Sequence, residues 1–166
     1  MEIGHFYFIK DNFYIDFPNV NLMKNHQATE NSEHNRPRFY SIKQNNGIIW
    51  LIPISSKVEK YKKITEHKIL KYGMCDTLDF ASVLGKERTF LIQNMLPITS
   101  DYISHQYLDC KNVSVEIDNV SKKRIITKAK KVLSLQRKGY NLIFGNVLQI
   151  ENELLEKISK HQLLTV

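Results

Sequence analysis

The sequence predicts an α+β fold in a single domain, and three observations carry that prediction. Short runs of large apolar and aromatic residues punctuated by turn residues recur through the first two thirds of the chain, as strands do. Helical spacing of apolar residues takes over in the last third and in one segment near the middle. With 166 residues and no repeat, low-complexity tract or linker, the chain fills one domain, residues 1–166, with a sizeable core.

Taken in order, residues 5–17 (HFYFIKDNFYIDF) read as two short aromatic strands joined by a turn at Lys10-Asp11-Asn12. Residues 18–35 are polar and without period, an irregular loop of the kind that forms lids and binding segments, and it delivers His34 to the start of a hairpin. Arg36–Lys57 (RPRFYSIKQNNGIIWLIPISSK) is that β-hairpin, and its turn, Asn45-Asn46-Gly47, can supply positive φ angles. Pro37 suits the start of a strand because it has no N–H to donate, and Pro53 predicts an edge or an end to regular pairing.

From Ser56, a candidate N-cap, Val58, Tyr61, Ile64, Ile69 and Tyr72 trace one face of a helix that Gly73 stops. Residues 77–84 and 88–96 read as a second hairpin about Gly85-Lys86. Thr99 or Ser100 then caps a short helix through Leu108, and Val113–Ile117 alternates like a last strand. Ile125, Ile126, Ala129, Val132, Leu133 and Gln136 stripe a helix from Ser121 to Lys138, ended by Gly139. A final helix spans roughly Val147–Lys160, with Leu148, Leu154, Leu155 and Ile158 on its apolar side.

Charge narrows the function classes. The formal net charge of +7 suits either a polyanionic partner or an ordinary basic surface. Lys57–Lys71 holds six lysines against two glutamates, and Ser121–Lys138 holds eight Lys or Arg and no acid, together 14 of the 24 cationic side chains. Cys75 and Cys110 are in no metal-ligand or CxxC spacing, which predicts free thiols in a reducing compartment. Without a basic-then-apolar leader or an apolar run of about 18 residues, the expectation is a soluble, cytoplasmic protein. No HExxH, EF-hand loop, Cys/His quartet, phosphate loop or GxGxxG is present, so no cofactor is expected.

The remaining chemistry sits at the open end of the first hairpin. Pairing about the Asn-Asn-Gly turn brings Arg36 and Arg38 beside Ser55, Ser56 and Lys57. Such a group fits a phosphodiester. RNA can be cut without metal, because its own 2′-OH attacks phosphorus and leaves a 2′,3′-cyclic phosphate and a 5′-OH. An Arg fork then stabilises the phosphoryl charge, and hydroxyls or helix-start N–H groups add donors. Two bland alternatives stand beside this: Ser56 only caps the helix, and Arg36 only pairs with a nearby acid.

The run from Arg36 to Lys57 resembles the signature of MazF/Kid-like toxin ribonucleases, where Arg-Pro opens one strand and Pro-x-Thr/Ser-Ser/Thr closes the next. It is more similar still to the type III toxin–antitoxin endoribonucleases, the ToxN/AbiQ/CptN family. FYFIKDNFYIDF (6–17), NRPRFYSIK (35–43), IIWLIPISSKVEKYKK (48–63), KYGMCDT (71–77), LGKERTFLIQNMLPIT (84–99), the basic helix around 128–135 and VLQIEN (147–152) carry the likeness in collinear order.

The resemblance implies a strongly curved, MazF/CcdB-like antiparallel β-sheet barrel wrapped by helices. It also implies metal-independent cleavage of mRNA, and of the precursor of an inhibitory RNA antitoxin whose repeats fold as pseudoknots. Toxin and RNA then assemble in closed oligomers, with a role in growth arrest and abortive phage infection. By resemblance, Arg36 matches the catalytic Arg, Ser55 the Thr/Ser after Pro-x, Ser56 the adjacent hydroxyl, and Arg38 a position where a cation occurs. His34 has no secure counterpart, and its place two residues before Arg36 makes it the candidate base. Lys57 either assists the leaving group or binds the next phosphate. Lys60, Lys62 and Lys63, with Lys122, Lys123, Arg124, Lys130 and Lys131, are the candidate RNA contacts, against the alternative of a solvated charged face. The rival function is a non-catalytic RNA-binding module on the same basic surface.

Overall fold

Large apolar residues on both sides of the Asn-Asn-Gly turn make the centre of the molecule, and a computed structural model describes residues 1–18, 22–23 and 36–164. Strand β1 is Phe6–Ile9, helix α1 Asn12–Asp16, β2 Arg38–Lys43, β3 Ile49–Ser55 and α2 Val58–Tyr72. Then come β4 Asp79–Val83, β5 Lys86–Phe90, β6 Leu96–Ile98, β7 Ile103–Gln106, α3 Asn119–Arg137 and α4 Val147–Leu164. Among the described residues the fold is α+β: a seven-stranded antiparallel sheet in the order β4-β5-β3-β2-β1-β7, with β6 also on β3, and four α-helices. The path from β4 to β7 is open at both edges. No helix among the described residues is long and apolar enough to cross a membrane.

The first hairpin forms as its residues dictate. β2 and β3 pair with Arg38 opposite Pro53 and Lys43 opposite Ile49, with an irregularity between Tyr40 and Ile42. Gly47 takes φ +88° in the connecting turn, a conformation costly for any residue with a Cβ. Every residue of β3 is buried, so it is a central strand despite its proline. Pro53 is tolerated because β3 changes neighbours there: Ile49–Leu51 pair with β6, whereas Ile54 and Ser55 pair with β5. The Pro53 carbonyl accepts from Leu91 N at 3.0 Å, so the missing N–H points into the gap between those neighbours. The expected end to pairing is met on one edge of the strand only.

Four local expectations are corrected. Residues 12–16 form a helix and not a second strand, because Phe13 and Phe17 lie four apart and bury on one side, their rings 5.1 Å apart. The segment after Thr99 makes one 3₁₀ turn and then β7, drawn into the sheet by pairing with β1. Val113–Ile117 forms no regular strand: a bridge pairs Leu108 with Ser114, the Val113 carbonyl accepts from Asp109 N, and Val115 N donates to the Tyr107 carbonyl. In α2, Tyr61 is buried, but Ile69 and Tyr72 are exposed, since the helix packs on the sheet at β5 and its second half extends past it.

The second hairpin turns at Leu84-Gly85, one residue earlier than expected, and both residues have positive φ, 50° and 73°. Helix α3 starts at Asp118, whose carboxylate accepts from Ser121 N at 2.9 Å, and buries Ile125, Ala129, Val132 and Leu133. It packs on β2 and β4. Asp79 of β4 is buried and ion-paired with Arg124 at 3.0 Å and Lys128 at 3.2 Å, which ties that helix to the sheet. Helix α4 packs on β6 and is tied to α3 by the buried carboxylate of Glu151, which accepts from Arg137 and from Gln44 in the hairpin turn. Cys75 is buried and Cys110 exposed, both as free thiols.

Candidate functional site: the open end of the central hairpin

Strand alternation divides the predicted site between the two sides of the hairpin end. Arg38 stands opposite Pro53, and following that register outward brings Arg36 beside Ser55. Arg38 is completely buried: its guanidinium donates to the Met23 carbonyl at 2.7 Å, to the Arg36 carbonyl at 3.2 Å and to the Tyr14 hydroxyl, and lies 5.8 Å from the Tyr14 ring centre. It pins α1 and Met23 against the hairpin from inside.

Arg36 is half-buried on the same side and donates to the Ile54 carbonyl at 3.1 Å. Its buried Nε has no partner among the described residues, and no carboxylate among them pairs with it. Burial pushes the guanidinium below its ordinary pKa, while the Tyr61 and Tyr14 hydroxyls push it back up. The Tyr14 phenol is raised by burial, against the opposing pull of Arg38 and Arg36. Since an Arg stays protonated in proteins, this corner gathers two cations around a neutral phenol.

On the other side, a cleft of about 820 Å³ opens between β7, β1, the hairpin end and the β4–β5 turn. Phe8 and His105 are paired positions of β1 and β7, and their rings stack 4.6 Å apart. Tyr107 meets Phe8 edge-on at 5.5 Å. Pro37, Ile54, Ser55 and Ser56 line it from the hairpin end, and Lys86 and Arg88 from β5, on the far side of the hairpin from β1 and β7. Beneath lies the buried cluster of Phe6, Phe39 and Phe90, with ring separations of 5.3–6.1 Å.

Ser55 is buried, and its Oγ accepts from Lys57 N at 3.2 Å, so Ser55 and not Ser56 satisfies an amide at the start of α2. The N-cap itself is Lys57, one residue later than expected. Ser56 is thereby released from capping and stands exposed in the cleft. Lys57 is exposed, and His34 lies outside the described residues.

The basic helices divide in the same way. Lys62 pairs with Glu87 at 2.8 Å and Glu59 at 3.5 Å, Arg124 with Asp79, and Lys131 with Asp76. Lys122 is packed over the N-terminal turn: a methyl group added at Gly4 would stand 2.0 Å from its Cε. Lys60 lies 5.6 Å from the Tyr61 ring centre. Lys63, Lys123 and Lys130 are exposed.

Sequence reasoning missed Phe8, His105, Tyr107, Lys86, Arg88 and Tyr14. The signal for Phe8, His105 and Tyr107 is topological: β7 lies beside β1 only after about a hundred residues of intervening chain, and no local pattern reports that pairing, while Lys86 and Arg88 come in on β5 through its pairing with β3. Among the described residues no group of three or more His, Cys, Asp or Glu is placed to hold a metal ion. No protein-family model matches the chain, and no curated protein matches it.

Proposed function

We propose that the protein is a metal-independent endoribonuclease toxin of the type III toxin–antitoxin kind. The observation that carries this reading is the half-buried Arg36 guanidinium, without a carboxylate partner among the described residues and in register with Ser55, while Ser56 stands on the cleft side of the same hairpin end. A buried cation with donor capacity to spare calls for an anion, and a phosphoryl group supplies two oxygens for its fork. Arg36 stabilises charge on the phosphorane, Lys57 adds a positive charge at the leaving oxygen, and the Ser56 hydroxyl donates from the cleft side. Arg38 holds Arg36 in place through its carbonyl. His34 takes the 2′-OH proton in this reading.

The curved, barrel-like sheet of the MazF/CcdB-like ribonucleases belongs with the same proposal. So does a cytoplasmic location, with mRNA as substrate. The neutralising partner is a repeat-derived pseudoknot RNA, assembled with the toxin in a closed hetero-oligomer and bound along the exposed lysines of α2 and α3.

Incubating the protein with mixed RNA in EDTA and mapping the ends tests the chemistry. Cyclic-phosphate and 5′-OH ends are expected, falling at least 100-fold (about 2.7 kcal/mol of transition-state stabilisation) in Arg36→Ala. Ser56→Ala should fall less. Tight binding with intact RNA favours instead a non-catalytic RNA-binding module, a reading that the internal bonding of Arg38 favours. Short tandem repeats are expected in the DNA just upstream of the coding region, and their absence counts against the type III assignment.

A further inference from the structure

We propose that the cleft between β7, β1 and the β4–β5 hairpin seats one unpaired nucleotide of the RNA strand, its base on the Phe8–His105 stack and Tyr107 and its phosphate between Lys86 and Arg88. This rests on the reading of the protein as one that binds RNA, and adds to it a subsite on the face opposite Arg36. The volume, about 820 Å³, lies within the range of small-ligand pockets.

The chemistry of the walls is asymmetric. One carries three rings: His105 is exposed, and Phe8 and Tyr107 are half-buried, so their faces and edges are reachable from the cleft. The other carries Lys86 and Arg88; among the described residues neither has an ion-pair partner, and no Asp or Glu among them lines the cleft. Among the described residues Arg88 donates only to its neighbour's carbonyl, Glu87 O, at 3.3 Å.

Aromatic faces on one side and unneutralised cations on the other are the combination that holds single strands, with bases stacking and phosphates paired. A duplex offers no free base face and does not fit. An apolar ligand leaves the cations without a counter-charge, and a simple anion leaves the rings unused. The exposed Ser56 hydroxyl adds a donor or acceptor at the edge shared with the cleavage site. A base seated here would set sequence preference at a position flanking the cut.

The test is binding of a fluorescent single-stranded 2′-O-methyl RNA hexamer, which cannot be cut because its attacking hydroxyls are blocked. His105→Ala and Arg88→Ala are each expected to weaken the Kd about tenfold, the scale of one lost stacking or charged contact. Phe8→Leu keeps apolar bulk under β1 while removing the ring, so it is informative where Phe8→Ala fails to fold. A hexamer with one abasic position should bind wild type as weakly as the intact hexamer binds His105→Ala, and the two changes together should cost little more than either. Unchanged affinity in all three variants, equal binding of duplex and single strand, or no binding of the hexamer overturns the inference. Cleavage in EDTA with unaltered hexamer binding in the variants sinks this subsite alone. Variant-sensitive binding without cleavage sinks the enzymatic reading and leaves the subsite standing.

Discussion

Asp16 shows how a single exposed group can hold two distant segments. Its carboxylate accepts from the Tyr102 hydroxyl at 2.5 Å and from Lys157 Nζ at 3.0 Å, joining α1 to the turn before β7 and to α4. Those two hydrogen bonds, Tyr102 first, hold its carboxyl below the ordinary carboxylate value. A depressed folded-state pKa contributes stability that is present above the unfolded value and lost as pH falls through the folded one. Thermal melts should therefore find Asp16→Asn less stable than wild type at neutral pH, with the gap closing below the ordinary aspartate range near pH 4 and on into stronger acid. A second test at this scale concerns Leu84, a bulky residue at φ +50° where two-residue hairpin turns favour Asn before Gly. Leu84→Asn is expected to raise stability by about 1 kcal/mol, read from denaturant midpoints at constant slope.

Among the elements, α3 depends on the sheet through its apolar stripe and through Asp79. Truncating that buried carboxylate strands two cations, but Arg124 and Lys128 are exposed enough to turn to water. Asp79→Ala should cost on the order of 2 kcal/mol, measured by chemical denaturation. The elements also show what was readable beforehand. Both hairpins and the three long helices were legible because turn glycines, Gly73 and Gly139 and the 3.6-residue stripes are local signals. The misassigned pieces, α1 and β7, are short aromatic or mixed segments whose state is decided by partners far along the chain. The candidate site was half legible for the same reason. Arg36, Ser55 and Ser56 sit on one hairpin, whereas strand alternation put Arg36 and Ser56 on opposite sides and topology supplied His105.

For the molecule as a whole, the count of 24 cationic side chains overstates the cation supply available to a partner. Lys62, Arg124, Lys128, Lys131 and Arg137 are each engaged with acids of the same chain. In RNA titrations across salt, Lys63→Ala and Lys130→Ala should each reduce the slope of log K against log salt by about 0.7–0.9. Arg124→Ala should lower the melting temperature more than the slope. The β1–β7 pairing sets a different kind of limit. One neighbour of β1, β2, follows it directly among the strands, but the other, β7, is made only after β2 to β6. Closing that long loop before any ladder contact rewards it makes the Phe8–His105 edge a late event in folding. On a ribosome, the hairpin end can exist well before the aromatic wall does, so a growing chain carries cations and hydroxyls without a seat for the strand they face. A chain of this design acquires its complete cleft only once β7 has joined the sheet.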